Sequence, residues 1–422
     1  MRRHRTTRLI VSPRRSSATL PLGLLRQKIA ILRDTDNKKR TILNEIAGGF
    51  GDIGVLIPIT LALVIKNGFD LRGILLSAGI FYVGSALFFR VPMPVQPLKA
   101  MAAVALAQGL PHHALRVAGL AFAAVILLLL IPGVADLLER LFSLPVVRGI
   151  QLALGIMLVK AGVNLSAGGI LLSIMALALL SVTYLATESL PPILPVLIGG
   201  LIIAGLSPAG ALEPSPGLPV SPGMPEISIR DLSFVLTALI IPQLGLTIGN
   251  SVMATAQTAK DLFSSSSARV NTKNLTLSIT AGNFLSCLIS GIPMCHGAGG
   301  LTAHYRFGAR SNRATLIAGG LFLLLALLPS GSMVDIFLSF PLPFLGILLI
   351  FVGGFHASLA KDCLVRKGTI LTVLVTAAVS LLCNNLSAGA LAGILFEAIQ
   401  QVIVRNLFLG EGIRTVEKHA GR

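Results

Sequence analysis

Residues Val91–Ala100 read VPMPVQPLKA and lie between two long apolar runs. Three prolines within six residues exclude a continuous helix here, because proline lacks an N–H and restricts the residue before it. Proline is equally unsuited to an ordinary central strand. We therefore predict an extended backbone from Val91 to Gln96 and a helix from about Pro97, since proline suits a first helical turn. Irregular backbone at membrane depth is tolerated only where protein or a watery cavity surrounds it, so this segment is a candidate binding site.

A second interruption, Ile292–Leu301, reads IPMCHGAGGL and resembles the first. Each follows an apolar run, contains a Pro-Met pair and leads into a short helical pattern. Polar stretches that contain glycine precede both, at Gly51–Gly54 and Gly245–Asn250. Paired interruptions at corresponding places in two halves of a chain indicate a transporter site. The alternative is two unrelated proline kinks.

The composition is that of a polytopic membrane protein. The chain has 422 residues, 54% of them hydrophobic and only 12% charged, with a mean hydropathy of +0.85. Soluble domains have about 25% charged residues. Apolar runs such as Ala118–Ile131 and Gly319–Leu328, extended by weakly polar flanks, reach the roughly 20 residues that a membrane-spanning helix needs.

The net charge of +17 is concentrated in a basic tail at residues 1–41. No aromatic residue is interleaved with its arginines and lysines, so we expect no nucleic-acid partner and instead contact with anionic lipid at the cytoplasmic face. An organellar transit peptide stays open, because the tail is rich in Arg and Ser and has no acid before Asp34.

About fourteen membrane segments are predicted, seven in each half. The first repeat, residues 42–206, has segments at 42–65, 71–90, 91–109 (broken), 115–132, 146–165, 168–187 and 191–206. The second repeat, residues 232–408, has segments at 232–256, 273–291, 292–307 (broken), 313–330, 333–357, 368–384 and 387–408. A connector rich in Pro, Gly and Ser at 207–231 separates them, and a short tail at 409–422 follows.

The charges of the loops predict the orientation. Basic loops alternate with less basic ones, most clearly in the second half, and the positive-inside rule then places both termini in the cytoplasm and the connector outside. Seven segments per half is an odd number, so the halves insert in opposite directions. We therefore predict an all-α inverted repeat of seven plus seven segments.

The first break carries two candidate ligand groups. Opposed broken helices bring two helix N-termini, each partly positive, toward the bilayer centre, where they suit an anion. Lys99 lies one turn into the first short helix, and intramembrane lysines are costly and usually functional. Gln96 could donate its amide to an oxyanion or cap the helix, and Pro97 marks the helix start. The alternative for Lys99 is a side chain that reaches the membrane interface.

The second break offers backbone and side-chain candidates. Gly297, Ala298 and Gly299 let the backbone approach a ligand closely, although small residues also serve helix packing. His296 lies within the break and is either a ligand or a structural histidine. Asn250, on the preceding polar stripe with Gln243 and Thr247, could bind substrate or only join helices.

Two acids are candidates for ion coupling. Glu45 and Asp52 are seven residues apart and so share one helix face. Asp52 lies deeper, between two glycines, and is a plausible proton-coupling carboxylate whose alternative is a structural pairing with Lys99. Glu45 lies closer to the cytoplasmic surface.

Metal, disulfide and nucleotide sites are not indicated. The four cysteines show no CxxC spacing, and His296 and His304 lack a third ligand, so we expect no metal and no cofactor. Cys295 and His296 are adjacent in an extended segment and point apart, which disfavours a catalytic pair. A phosphate-binding loop of the GxxxxGK[ST] kind is absent, which disfavours direct ATP drive.

Three long motifs, in order along the chain, resemble the MOT1 family of molybdate transporters, relatives of the sulfate permeases. They are Asn44–Gly54, Pro92–Ala100 and Pro293–Leu301, the last continuing through His304–Ser311. The resemblance spans residues 44–408. It implies the seven-plus-seven inverted-repeat fold of sulfate and nucleobase permeases, divided into core and gate, and uptake of a tetrahedral dianion.

These observations together predict a secondary transporter that imports molybdate by alternating access, coupled to protons. We expect a multi-pass protein of the plasma or inner membrane, with a homodimer left open. The nearest alternative is a sulfate transporter of the same fold, because sulfate and molybdate share charge and shape. An anion channel is less favoured, and a membrane-embedded enzyme would need a catalytic constellation that the sequence does not display.

Overall fold

The computed structural model describes residues 42–187, 190–206, 229–328, 336–366 and 368–420. The basic tail at 1–41 and nearly all of the connector at 207–231 lie outside these residues, so their predicted roles stay predictions. The described chain is almost entirely helical, which confirms the predicted all-α class.

The first half contains nine helices among the described residues and one short strand. They are α1 (Ile42–Gly49), α2 (Ile53–Asn67), α3 (Leu71–Phe89), β1 (Gln96–Pro97), α4 (Lys99–Gln108), α5 (His112–Ile126, followed by a 3-10 turn at Leu127–Leu130), α6 (Val134–Leu141), α7 (Leu144–Ser166), α8 (Ile170–Ala186) and α9 (Ile193–Leu206).

The second half begins with a helix of mixed geometry, which we label α10. Its pieces are Ile229–Phe234 (α), Val235–Ile240 (π), Ile241–Leu246 (α), Thr247–Ala254 (π) and Thr255–Phe263 (α). There follow α11 (Thr272–Leu288), β2 (Met294–Cys295), α12 (Ala298–Arg306), α13 (Arg313–Leu327), α14 (Leu342–Ser358), α15 (Lys361–Leu364), α16 (Ile370–Leu382) and α17 (Leu386–Ala420).

In the described part of the chain, six helical segments are long and apolar enough to cross a membrane, and five further apolar helices are shorter. Large apolar side chains of α8, including Ile170, Leu171 and Leu185, are exposed, as expected for a lipid-facing surface. The exact count of fourteen segments stays a prediction.

The segment expected at 42–65 corresponds to one candidate span, Ile42–Asn67, with a turn at residues 50–52 between α1 and α2. The glycines of α1 pack directly against the backbone of the second half: a β-carbon at Gly48 would lie 2.2 Å from the Ala309 nitrogen. One helix start and one helix differ from expectation. The helix expected from about Pro97 begins at Lys99, since Pro97 is taken up in β1. The amphipathic helix α6 was not expected.

Helices α7 and α14 lie in close backbone contact through paired glycines. A β-carbon at Gly155 would lie 2.5 Å from the Gly353 oxygen, and one at Gly162 would lie 2.5 Å from the Gly346 oxygen. Small residues allow this approach between membrane helices, where van der Waals packing drives association. The pair forms one wall of the cavity described below.

The two interruptions meet in space. β1 and β2 pair in antiparallel fashion, with Gln96 opposite Cys295 and Pro97 opposite Met294. The Leu98 N–H donates to the Pro293 carbonyl at 2.9 Å. Segments about two hundred residues apart in sequence therefore form one crossing, from which α4 and α12 begin.

Candidate functional site

A cavity of about 1040 Å³ lies beside the β1–β2 crossing. One wall is formed by the breaks and by the junction of α1 and α2, and the facing wall by α7 and α14. The predicted site residues that line it are Asp52, Gln96, Lys99, Asn250, Ala298 and Gly299. It has the form of a ligand site: concave, largely apolar and with a few convergent polar groups.

The backbone of the second break is held by Asn283, a fully buried side chain of α11. Its amide nitrogen donates to the Met294 carbonyl at 2.8 Å, and its oxygen accepts from the Met294 N–H at 2.8 Å. Both polar groups of Met294 are thereby satisfied without a regular ladder, as buried backbone requires. Asn283 thus allows β2 to pair with a proline, which has no N–H to offer.

A chain of three polar side chains lies at the inner end of the cavity. The Gln96 amide nitrogen donates to Asp52 Oδ1, and the Gln96 amide oxygen accepts from Lys99 Nζ. The Tyr82 hydroxyl, buried in α3, lies 3.1 Å from the Val95 carbonyl and 3.4 Å from Asp52 Oδ2. Asp52 and Lys99 are thus linked through Gln96 instead of forming the direct ion pair that sequence reasoning considered.

The N-termini of α4 and α12 both start at this inner end. In α12 the first intrahelical bond runs from Leu301 N–H to Gly297 O at 3.0 Å, so the preceding N–H groups have no intrahelical partner. Ala298, Gly299 and Gly300 line the cavity at that point. In α4 the Ala100 N–H is already bound by the Gln243 side-chain oxygen at 2.9 Å. The α12 terminus is therefore the more open of the two to an anion.

Residues on α10 complete the inner end. Asn250 and Ser251 lie in a π-helical piece, a geometry that often marks functional sites, and both line the cavity. A β-carbon at Gly297 would lie 3.4 Å from the Asn250 amide nitrogen and 2.8 Å from the Gln96 amide oxygen. Asn250 and Gln96 therefore approach each other across Gly297.

Four of the residues predicted as site members do not line the cavity. Pro97 lies in β1, and Gly297 lies behind Gln96 as the N-cap of α12. His296 is fully buried between the rings of Phe81 and Phe89. Glu45 lies in the first turn of α1, away from the junction of α1 and α2 that lines the cavity.

The contacts of His296 and Glu45 are those of scaffold residues. His296 Nδ1 lies 2.8 Å from the Pro94 carbonyl and Nε2 lies 2.9 Å from the Ser278 hydroxyl, so both ring nitrogens are used within the protein. The Glu45 carboxylate accepts from the backbone N–H of Arg310 at 3.3 Å and of Ser311 at 3.4 Å. It holds the loop between α12 and α13 against α1.

Sequence reasoning missed several cavity residues. Arg148 and Gln151 of α7 line the facing wall, and Arg148 forms an ion pair of 2.7 Å with Asp362. Arg306, at the end of α12, lines the far end. Tyr82 contacts Asp52 from behind without lining the cavity, and it could have been found as the lone polar aromatic in the apolar run 71–90. Nothing local identifies Arg148. Within the described residues, no group of three His, Cys, Asp or Glu side chains is arranged to hold a metal ion.

Comparison with protein families gives a match to a model described as "Molybdate transporter of MFS superfamily", over residues 44–158 and 235–354. Molybdate transporter 2 of Arabidopsis thaliana is 28% identical over 87% of this chain and 89% of its own length. Molybdate transporter 1 of Chlamydomonas reinhardtii is 30% identical over 83% of this chain and 90% of its own length.

Two solved structures share the fold. The transmembrane domain of the cyanobacterial bicarbonate transporter BicA superposes with a TM-score of 0.59 at 17% identity, covering 83% of this chain and 98% of that domain. Murine Slc26a9, in the inward-facing state, superposes with a TM-score of 0.61 at 14% identity, covering 96% of this chain and 77% of that chain. The predicted permease-like fold is confirmed.

Proposed function

Because this chain belongs to the molybdate transporter family, we propose that it imports molybdate by alternating access coupled to protons. As a member of that family it is a multi-pass membrane protein that transports anions, and it is not an enzyme. The observation that carries this proposal is the convergence of an ammonium group, an open helix N-terminus and a buried carboxylate at one end of one cavity. The first two suit a dianion, and the third suits a proton.

Anion binding would use Lys99 and the α12 N-terminus together. The Lys99 ammonium carries a full charge, whereas a helix N-terminus contributes about half a charge through its free N–H groups. Both groups are hydrogen-bond donors, so both favour an oxyanion with several acceptor oxygens. The Asn250 and Gln96 amides can supply further donors to the same oxygens.

The direction of the opening follows from the loop charges. The cavity extends from the crossing to Arg306 and Leu359. These residues adjoin the loops that carry Arg310, Arg313 and Lys361, which the positive-inside rule assigns to the cytoplasm. We therefore assign this state as open to the cytoplasm, with both termini on that side of a plasma or inner membrane.

Alternating access would move one wall of the cavity against the other. The wall that holds the breaks carries Asp52, Gln96 and Lys99, whereas α7 and α14 present Val147, Leu154 and Phe351 together with His356, which lies within electrostatic range of Lys99. Rocking of one group of helices around a fixed site is the usual mechanism of such inverted-repeat carriers. The homodimer that the sequence leaves open is tested by the mass of the solubilised protein.

Uptake into proteoliposomes tests the proposal. Labelled molybdate should accumulate when the outside is acidic, and unlabelled sulfate at equal concentration should not compete with it. Competition by sulfate at equal concentration would transfer the assignment to sulfate. Accumulation that is indifferent to the pH gradient would refute proton coupling.

Substitution of Lys99 tests the site itself. Lys99→Gln removes a charge-assisted contact of about 1.5–3 kcal/mol, so we expect roughly a ten- to hundredfold loss in molybdate affinity. Lys66→Gln is the matched control, because it removes the same charge from an exposed lysine at the end of α2. Equal effects of the two substitutions would show that only net charge matters.

A further inference from the structure

The Gln96 carboxamide is buried between one acid and one base, with its two ends in opposite roles. Its nitrogen donates to Asp52 and its oxygen accepts from Lys99. The orientation is dictated by chemistry, because an ammonium group has only donors and must face the amide oxygen. The nitrogen then faces Asp52, whose bonded oxygen has to be an acceptor.

The surroundings hold this arrangement closely. A β-carbon at Gly300 would lie 2.7 Å from the Gln96 amide nitrogen and 2.5 Å from Asp52 Oδ1, and one at Gly297 would lie 2.8 Å from the Gln96 amide oxygen. The carboxamide therefore lies directly against the first turn of α12. These contacts keep it between Asp52 and Lys99.

Asp52 and Lys99 are faced by titratable groups from several neighbouring elements, including His356 of α14, which lies within electrostatic range of Lys99. Tyr82 of α3 reaches Asp52 Oδ2, and Lys99 of α4 and His304 of α12 lie within electrostatic range of Asp52. Cys295 of β2 also interacts with Asp52 electrostatically. His304 Nδ1 lies 2.6 Å from the Gly48 carbonyl, and Gln96 is the neighbour that contacts both Asp52 and Lys99.

We propose that Gln96 is a positioning residue that relays the protonation state of Asp52 to Lys99. This inference rests on the function proposed above. When Asp52 is ionised, it accepts from the amide nitrogen, and the amide oxygen retains the Lys99 ammonium. When a proton from solution binds Oδ1 of Asp52, the oxygen that faces Gln96 becomes a donor, and the amide turns over so that its own oxygen accepts from it.

The turnover releases Lys99 toward the anion. The terminal amide torsion of Gln is broad and roughly two-fold, so both amide orientations are allowed. The turnover places the amide N–H groups beside the ammonium, where two donors cannot bond to each other. Lys99 then turns to the cavity, and the amide also offers an N–H there. Proton and anion thus bind with positive coupling, which is reciprocal by linkage. The proton leaves Asp52 for the cytoplasmic side after the anion does.

The rival explanation is that proton binding simply removes the Asp52 charge. Both explanations predict tighter molybdate binding at lower pH, by up to about tenfold per pH unit when one proton is linked to one anion. They differ in which residues the pH dependence requires. If loss of the Asp52 charge is the whole cause, the pH dependence of molybdate binding requires only Asp52. If the relay operates, it also requires Gln96 and Lys99.

The test measures the molybdate dissociation constant of the purified full-length protein over a pH series. The variants are Gln96→Met, Lys99→Met and Asp52→Asn. Gln243→Met is the matched control, because Gln243 is also a buried cavity-lining carboxamide, bonded to Ala100 N–H and at 3.0 Å to the Thr247 hydroxyl, with no link to Asp52. Thermal unfolding of each variant reports whether it is folded.

The measured quantity is the molybdate affinity at acidic pH divided by the affinity at neutral pH. The relay predicts that this ratio falls most of the way to one in Gln96→Met and in Lys99→Met, whatever their absolute affinity. Gln243→Met should keep the ratio, and Asp52→Asn should bind with no pH dependence. The full wild-type ratio in either Gln96→Met or Lys99→Met overturns the relay, so one folded variant suffices. Absence of molybdate binding by the wild type at every pH would instead overturn the proposed function.

Discussion

Alanine at Gly300 and alanine at Gly299 are expected to have opposite consequences, although the two residues are adjacent in the first turn of α12. A β-carbon at Gly300 would lie 2.5 Å from Asp52 Oδ1, 2.6 Å from Pro94 Cβ and 2.7 Å from the Gln96 amide nitrogen. A β-carbon at Gly299 has no such neighbour within 4 Å, because it faces the open cavity. Only the first substitution requires the surrounding structure to move.

The size of the effect follows from three contributions. Alanine is favoured over glycine inside a helix by about 1 kcal/mol, and this applies to both sites. Overpacking at Gly300 costs about 1–3 kcal/mol, and separation of the buried Asp52–Gln96 pair costs about 1–3 kcal/mol more. We therefore expect Gly300→Ala to lose roughly 1–5 kcal/mol of stability, and Gly299→Ala to gain up to about 1 kcal/mol.

Thermal unfolding in detergent and molybdate binding are the assays. Gly300→Ala should unfold at a lower temperature than wild type and bind molybdate weakly. Gly299→Ala should unfold no earlier than wild type, and any loss of its molybdate affinity then reports how closely the anion approaches the backbone of α12. Wild-type melting and binding by Gly300→Ala would refute the close packing of Asp52, Gln96 and α12 on which the site depends.

Three further predictions concern other parts of the molecule. Asn283→Leu leaves a buried N–H and a buried carbonyl of β2 without partners, so it should cost about 2–6 kcal/mol of stability in thermal unfolding, with Asn283→Asp less damaging because it keeps one bond. Maleimide should label the exposed Cys383 far faster than Cys363, because burial raises the pKa of the Cys363 thiol to about 11 and leaves little thiolate at neutral pH. Equal labelling of the two cysteines, read by peptide mass mapping, would contradict this. Asp362→Asn neutralises the acid of a mostly buried, bidentate ion pair and should cost about 1–3 kcal/mol. It should nevertheless tighten molybdate binding, because it frees the cavity-lining Arg148; an unchanged or weaker affinity would count against that role.

The sequence indicated the two breaks because proline and glycine act locally, whatever the rest of the chain does. The paired Pro-Met motifs located both interruptions, and the apolar composition predicted the membrane class. The pairing of β1 with β2 is a contact between distant segments, and no local rule predicts it. For the same reason Pro97 was placed in a helix, although its missing N–H is accommodated opposite Met294.

Site membership was harder to predict than the fold. Lys99, Asp52 and Asn250 line the cavity, as expected of expensive intramembrane polar groups. His296 satisfies the same criterion, yet its bonds to Pro94 and Ser278 turn it inward, and only the folded chain contains those partners. Whether the lining residues bind the anion stays a prediction.

The two-residue ladder between β1 and β2 has a consequence for how cargo is carried. It joins the starts of α4 and α12 by direct bonds. In the alternating-access mechanism proposed above, these two helix starts would therefore move together as one rigid unit. The contacts of these helix starts with the anion would then be the same whichever side of the membrane the site faces. Any difference in anion affinity between the two sides of the membrane would come from the facing wall of α7 and α14. Substitutions in that wall would therefore change the preferred direction of transport.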